Sequence, residues 1–265
     1  MRFKIHLNRI GSQRFLPINY QYELSAVIYK IIDRADSVFS DFLHTQGYIG
    51  NGRPFRLFTF SRLYLQGFKV VKEAGRIEHY GHDGYFEISF MIDRAAEEFI
   101  KGIFSDQNFD LADQISSVSY TVSRIEAVAS PVFMPTMQYR CLSPIFLRRK
   151  RPEGGEDYLG PDDPDYENIL LQNLLSKSLA MTTADGAQGA LSSELPEIKL
   201  QVLGKVFKNG VTIKQHTAQV SKLIGYMYEF ELIAPVQLHE IGYYAGFGHL
   251  NSQGFGCVGV KIKSP

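Results

Sequence analysis

The 265-residue chain has two cysteines, Cys141 and Cys257, and neither belongs to a CxxC or a Cys/His cluster. So few thiols exclude a disulfide framework and a structural zinc site, and they fit a reducing compartment. No run approaches the roughly 18 consecutive apolar residues of a membrane span. The opening MRFKIHLNRI spreads its charges instead of placing a basic start before an apolar block, so neither a signal peptide nor an anchor is expected, and the reading is of a cytoplasmic protein. Low-complexity tracts are also missing. The seven histidines are scattered, and the close pair His79 and His82 lies in the turn YGHDGY, where solvation is favoured over metal ligation.

Net charge is missing too: 28 basic residues balance 28 acidic ones. The charges are nevertheless segregated along the chain, and local fields matter more than totals. Residues 1–76 carry 12 Lys/Arg against 5 Asp/Glu, whereas residues 77–126 carry 3 against 10. Arg148, Arg149, Lys150 and Arg151 run consecutively into an acidic stretch, and Lys199, Lys205, Lys208, Lys214 and Lys222 lie in 198–228 without an acidic neighbour. Two readings stay open, a basic face opposed to an acidic one or solvated loops of mixed sign.

What the chain does have is patterning. With 45% hydrophobic residues it can bury a large core. MRFKIHL alternates as a strand, and Leu24, Val27, Ile28, Ile31 and Ile32 recur at helical spacing over 22–33. Asp36 or Ser37 can cap a short second helix that ends near His44. Strands over 55–61 and 85–92, a helix capped by Asp93 and a strand over 117–128 complete a unit. A second half follows with strands around 131–150, a helix over 165–181, strands at 197–207 and 222–233, a helix near 236–245 and a last strand at 257–263. Two βαββαβ units predict an α+β protein of two tandem ferredoxin-like domains with antiparallel sheets, residues 1–127 and 128–265. No Ser/Gly linker separates them, which predicts a close interface. Composition makes 182–196 a flexible loop.

The densest anomaly is GFGHLNSQGFG at 246–256, four glycines in eleven residues set as two Gly-Phe-Gly arms. Glycine lets backbone approach a ligand closely and lets N–H groups converge on phosphate oxygens. The alternative is a helix stop and tight turn. A dinucleotide fingerprint is formally present from Gly254 to Gly259 but fails, because only six residues follow it. The Walker pattern fails for want of Gly-Lys-Ser/Thr.

This loop resembles the G-φ-G-x5-G-φ-G motif of the CRISPR-associated repeat-processing endoribonucleases, members of the repeat-associated RNA-binding superfamily. The segments INYQYELSAVIYKII, SDFLHTQG, RPFRLFTFS and SPIFLRRK are similar to that family as well, so the resemblance spans the chain. It implies cleavage of the CRISPR precursor transcript within each repeat, with repeat RNA as partner and effector-complex subunits or a second copy of the chain as candidate partners. It implies neither a metal nor another cofactor. The family's catalytic tyrosine falls on Tyr29, its histidine on His44, and its lysine on Arg56, a departure that keeps the charge but cannot give up a proton. Arg53 is a nearby substitute. RNA carries its own nucleophile, so the chemistry requires a base for the 2′-hydroxyl, an acid for the leaving 5′ oxygen and charge on the phosphorane. A histidine, with an unperturbed pKa of about 6.5, can do either proton transfer. The expected RNA-binding residues are Gly246, Gly248, His249, Asn251, Ser252, Gly254 and Gly256 of the loop, with Lys205, Lys208 and Lys214 on phosphates. From spacing alone His44 would be a helix-end residue and Tyr29 a core-flanking aromatic. Two rival readings remain. One is a non-catalytic RNA-binding subunit of an effector complex, and the other is a small-molecule enzyme or interaction module on the same scaffold.

Overall fold

The structure is a computed structural model that describes residues 1–185, 198–213 and 220–261. Lys214 and residues 186–196 of the expected 182–196 loop lie outside the described residues, and residues 182–185 are the end of a helix instead of loop. The N-terminal half contains Arg2–Ile10, helices α1 (Gln21–Ala35) and α2 (Ser37–Thr45), then strands Phe58–Phe60 and Asp83–Phe90. Helix α3 (Asp93–Ser105) and strand Ser117–Ala127 follow. Numbered by position, the four main strands lie in the order 4-1-3-2, antiparallel throughout, with Asn108–Ala112 added at one edge. Ile5 faces Phe86 on one side and Ile125 on the other. Its buried face meets the apolar stripe of α1, where Leu24, Ile28, Ile31 and Ile32 are fully or almost fully buried.

The C-terminal half repeats the arrangement with Thr136–Cys141, α4 (Tyr166–Asp185), Lys199–Ile213, Ser221–Ile233, α5 (Val236–Ala245) and Val258–Val260. These strands lie in the same 4-1-3-2 order, again antiparallel. Both halves are therefore ferredoxin-like. Tyr139, Phe230, Leu170, Leu174, Leu238 and Phe247 fill the second core.

Some elements depart from their predicted form. The expected strand over 55–61 is split, because Leu57 sits at φ 56° and sends its side chain into the C-terminal core. Asp93 does not cap α3: the N-cap is Ile92, and Asp93 stands in the first turn, where its charge meets the positive end of the helix. Asp36 does cap α2, accepting from the Phe39 N–H at 2.9 Å. The Arg148–Arg151 run forms a hairpin with 156–159 in which Arg148 pairs with Glu156, and Arg149 and Arg151 with Asp157. Its charge is thus largely neutralised by the acidic stretch that follows it.

The halves are joined directly. Arg2, 3% exposed, donates to the Val258 carbonyl at 2.7 Å and to the Tyr243 carbonyl at 2.8 Å, with its guanidinium 3.7 Å from the Tyr243 ring centroid. The Arg62 N–H donates to the Leu142 carbonyl at 2.9 Å.

Candidate active site

Helices α1 and α2 are joined by one residue, Asp36, whose extended backbone reverses the chain. That tight connection brings Tyr29 of the first against His44 in the last turn of the second. The two rings meet edge to face, centroids 5.4 Å apart at 84°. Tyr29 is half-buried and also packs on Phe58, while His44 is exposed. Arg56, from the segment after the short strand Arg53–Phe55, donates from Nη2 to the His44 carbonyl at 2.5 Å. Burial raises the Tyr29 phenol above its ordinary value, partly offset by the Ser252 hydroxyl and the Arg56 guanidinium beside it. At neutral pH Tyr29 is therefore a proton-bearing phenol, a donor and not a base.

Ser252 belongs to the glycine-rich loop, and the loop turns inward. Its glycines are buried, and Phe247 and Phe255 are fully buried, Phe247 against Tyr139 and Phe230, Phe255 against Phe146. Each such phenylalanine contributes about 1.5–3 kcal/mol of apolar burial, so Phe247 anchors one arm to the second core and Phe255 anchors the other to a smaller cluster with Phe146, Val211 and Leu223. Asn251 closes the loop, its Nδ2 donating to the Phe247 carbonyl at 3.1 Å and the Phe255 carbonyl at 3.0 Å. The N-terminal half holds the other side. Thr59 Oγ1 donates to the Phe255 carbonyl at 2.9 Å, and Ser25 Oγ on α1 to the Ser252 carbonyl at 2.6 Å. What remains partly open to solvent is His249, Leu250, Ser252 and Gln253. Four glycines are present because the backbone turns back on itself inside the protein: Gly246 at φ 87° leaves no room for a Cβ, which would lie 2.5 Å from the Asn251 amide.

His249 is the titratable side chain of the loop. Burial, then the neighbouring cations Lys177, Arg148 and Arg53, push its imidazole down to about 3. Its Nδ1 accepts from the Arg148 N–H at 3.3 Å, which fits a neutral ring. In the unfolded chain the same group titrates near 6.5, so between the two values the unfolded state binds more protons, and stability rises with pH. We expect urea-unfolding stability to fall from pH 6.5 toward pH 4, by up to about 1.4 kcal/mol per pH unit from this residue. His249→Asn, which keeps an acceptor but does not titrate, should flatten that slope.

The described residues thus bring Tyr29, His44, Arg56 and Ser252 to one place. Lys205 and Lys208 are exposed elsewhere, beside a bulge between Leu203 and Phe207, where with Arg62 and Arg140 they line an open groove of about 690 Å³. Sequence reasoning missed Ser25 and Thr59, which are ordinary polar residues until the fold sets them against the loop. It also missed Lys177, 1% exposed on α4, whose Nζ donates to the carbonyls of Gly246 at 2.5 Å and Gly248 at 2.8 Å. A lone lysine within ILLQNLLSKSLAM was the available signal.

Comparison with known proteins agrees with this architecture. Residues 15–126 match the family model "CRISPR-associated protein Cas6, N-terminal", and residues 128–260 match "CRISPR associated protein Cas6, C-terminal". The chain is 26% identical over 261 residues to the CRISPR-associated endoribonuclease Cas6 1 of Methanocaldococcus jannaschii, covering 97% of this chain and 92% of that protein. It superposes on the structure of a Cas6-related gene product of Pyrococcus furiosus with TM-score 0.81 and 22% identity, over 100% of this chain and 99% of that one. A structure described as a RAMP protein binding different RNA substrates gives TM-score 0.79 and 21% identity, over 99% and 100% of the two chains. At such identities the two structures speak for the fold, while the family models match both halves of the sequence itself: the chain belongs to the Cas6 family of CRISPR-associated proteins.

Proposed function

We propose that this protein cuts CRISPR precursor transcripts within their repeats, by attack of the RNA's own 2′-hydroxyl and without a metal ion. The observation that carries the reading is the convergence of Tyr29, His44 and Arg56 at one solvent-accessible point. The relatives named as endoribonucleases supply the substrate class. In the reaction the 2′-hydroxyl gives its proton to a base, its oxygen bonds to phosphorus, and the 5′ oxygen leaves with a proton from an acid. The products are a 2′,3′-cyclic phosphate, or the 3′-phosphate that follows from it, and a 5′-hydroxyl. His44 performs one of the proton transfers. Tyr29, kept protonated by burial, donates a hydrogen bond or shares the proton transfer. Arg56 cannot exchange a proton but offsets charge on the phosphorane.

In the same reading, the open atoms of the glycine loop, with Ser252 foremost, hold the RNA beside His44. Lys205 and Lys208 contact phosphates and fix its register without reading sequence. The loop's buried glycines serve that role indirectly, by shaping the turn that carries Asn251 and Ser252.

The test is incubation of the full chain with its cognate repeat RNA in excess EDTA. A single cut that leaves a cyclic phosphate and a 5′-hydroxyl is the expected outcome. Intact RNA after long incubation, despite tight binding, would leave a non-catalytic RNA-binding subunit as the function. One observation favours that second reading: Arg56 stands where a proton-exchanging lysine is expected, and its guanidinium is engaged with the His44 carbonyl.

A further inference from the structure

Lys177 is a side chain with no evident reason to be where it is. It is 1% exposed in the middle of α4, and among the described residues no carboxylate pairs with it. A buried lysine without a counter-charge is costly, and burial pushes its ammonium well below the ordinary lysine range. Apolar residues of α4 on either side, Leu170, Leu174 and Ala180, fill the core at no such cost. What Lys177 does have is two hydrogen bonds, both to carbonyls of the first Gly-Phe-Gly arm, Gly246 at 2.5 Å and Gly248 at 2.8 Å. Charged or neutral, the amine has at least two N–H donors for them.

Those carbonyls have consequences two turns of chain away. Between them lies Phe247, whose carbonyl accepts from Asn251, and Asn251 is the neighbour of Ser252. Ser252 in turn is tied by its carbonyl to Ser25 on α1 and stands with its hydroxyl beside the Tyr29 phenol. A chain of hydrogen bonds and peptide links thus runs from the interior of α4 to Ser252, which is bonded to Ser25 on the same helix as Tyr29 and lies near enough to the phenol to lower its pKa. We infer that Lys177 is a positioning residue for cleavage: by holding the Gly246 and Gly248 carbonyls it fixes the loop so that Ser252 meets Tyr29. This rests on the endoribonuclease reading proposed above, since it assigns Lys177 a part in that reaction.

The experiment measures single-turnover cleavage of repeat RNA by the full chain, together with RNA affinity and amide exchange over 246–254. Lys177→Met keeps length and apolar volume but has no donor, and it should cut tenfold or more slowly at saturating protein. Affinity should change less than threefold, because the phosphate contacts proposed for Lys205 and Lys208 lie away from the loop and its few neutral atoms add orientation more than binding strength, and exchange over 246–254 should quicken. Lys177→Gln, with an amide donor, should recover part of the rate, and it carries the test if Lys177→Met does not fold. Because Lys177 acts through Ser252, adding Ser252→Ala to Lys177→Met should slow cleavage little further. A wild-type rate in Lys177→Met overturns the inference. So does an equal loss of rate and affinity, or full multiplication of the two effects. If the wild-type protein itself leaves the RNA uncut, the functional reading fails instead, and the exchange data still report whether Lys177 holds the loop.

Discussion

Replacing His44 with alanine is expected to slow cleavage of the repeat RNA by about 10²–10⁴-fold, the usual contribution of a positioned proton-transfer group. The loss should appear in the cleavage rate at saturating protein and not in affinity. His44 is exposed at the end of α2, and among the described residues its ring meets Tyr29 edge to face. Truncation leaves no cavity in either core and removes no buried hydrogen bond, because the Arg56 bond is made to the His44 main-chain carbonyl. Stability should therefore stay within about 0.5 kcal/mol of wild type, as for surface substitutions generally. A single-turnover assay on matched RNA, with a thermal melt of the same preparation, checks both halves of the claim. Wild-type cleavage in the variant would remove His44 from the chemistry, and Tyr29 alone, with its raised phenol, could not replace a base at neutral pH.

The elements that carry the candidate site were easier to read from the sequence than the contacts that support it. It is the family resemblance that singles out Tyr29 and His44, which spacing alone reads as a core-flanking aromatic and a helix-end histidine, but the helices that carry them were plain from their apolar spacing. Both ferredoxin-like units were legible for the same reason, since local periodicity dictates each element and the order of elements dictates the 4-1-3-2 sheet. The length of the second hairpin was not: Lys199–Ile213 is 15 residues long and broken by a bulge, and alternation fades where both faces of an edge strand are wet. Nor was the inward turn of the glycine loop. A loop rich in glycine reads as backbone presented to a ligand, and its phenylalanines reveal their burial only when rings distant in sequence, Tyr139 and Phe230 on Phe247 and Phe146 on Phe255, close around them. Lys177 was hidden because α4 mixes polar and apolar residues around its circumference, with Asn173 and Ser176 buried and Leu179 exposed, and so offers no clean apolar face on which a lysine looks out of register.

The loop's dependence on its glycines yields the largest stability effect we expect. Gly256→Ala should destabilise the protein by several kcal/mol, enough to lower the thermal midpoint by well over 5 °C or to prevent folding. Two costs combine at this position. Its φ of +77° lies in the region that strains an L-residue, and a Cβ built there would stand 1.9 Å from the Phe247 carbonyl oxygen. That oxygen cannot simply withdraw, because it accepts from Asn251, and the Gly256 N–H and carbonyl are themselves bonded to Pro144 and Phe247. Strained backbone costs about 1–3 kcal/mol and overpacking about as much again. Gly259, three residues on, supplies the control. Its backbone is not in the positive-φ region, and the nearest atoms to its would-be Cβ are 3.5 Å away, an ordinary contact. Gly259→Ala should thus stay near wild type in urea unfolding at neutral pH. If the two variants prove equally stable, the loop is not the rigid seam between the halves that its hydrogen bonds describe, and Ser252 would lose its fixed place beside Tyr29.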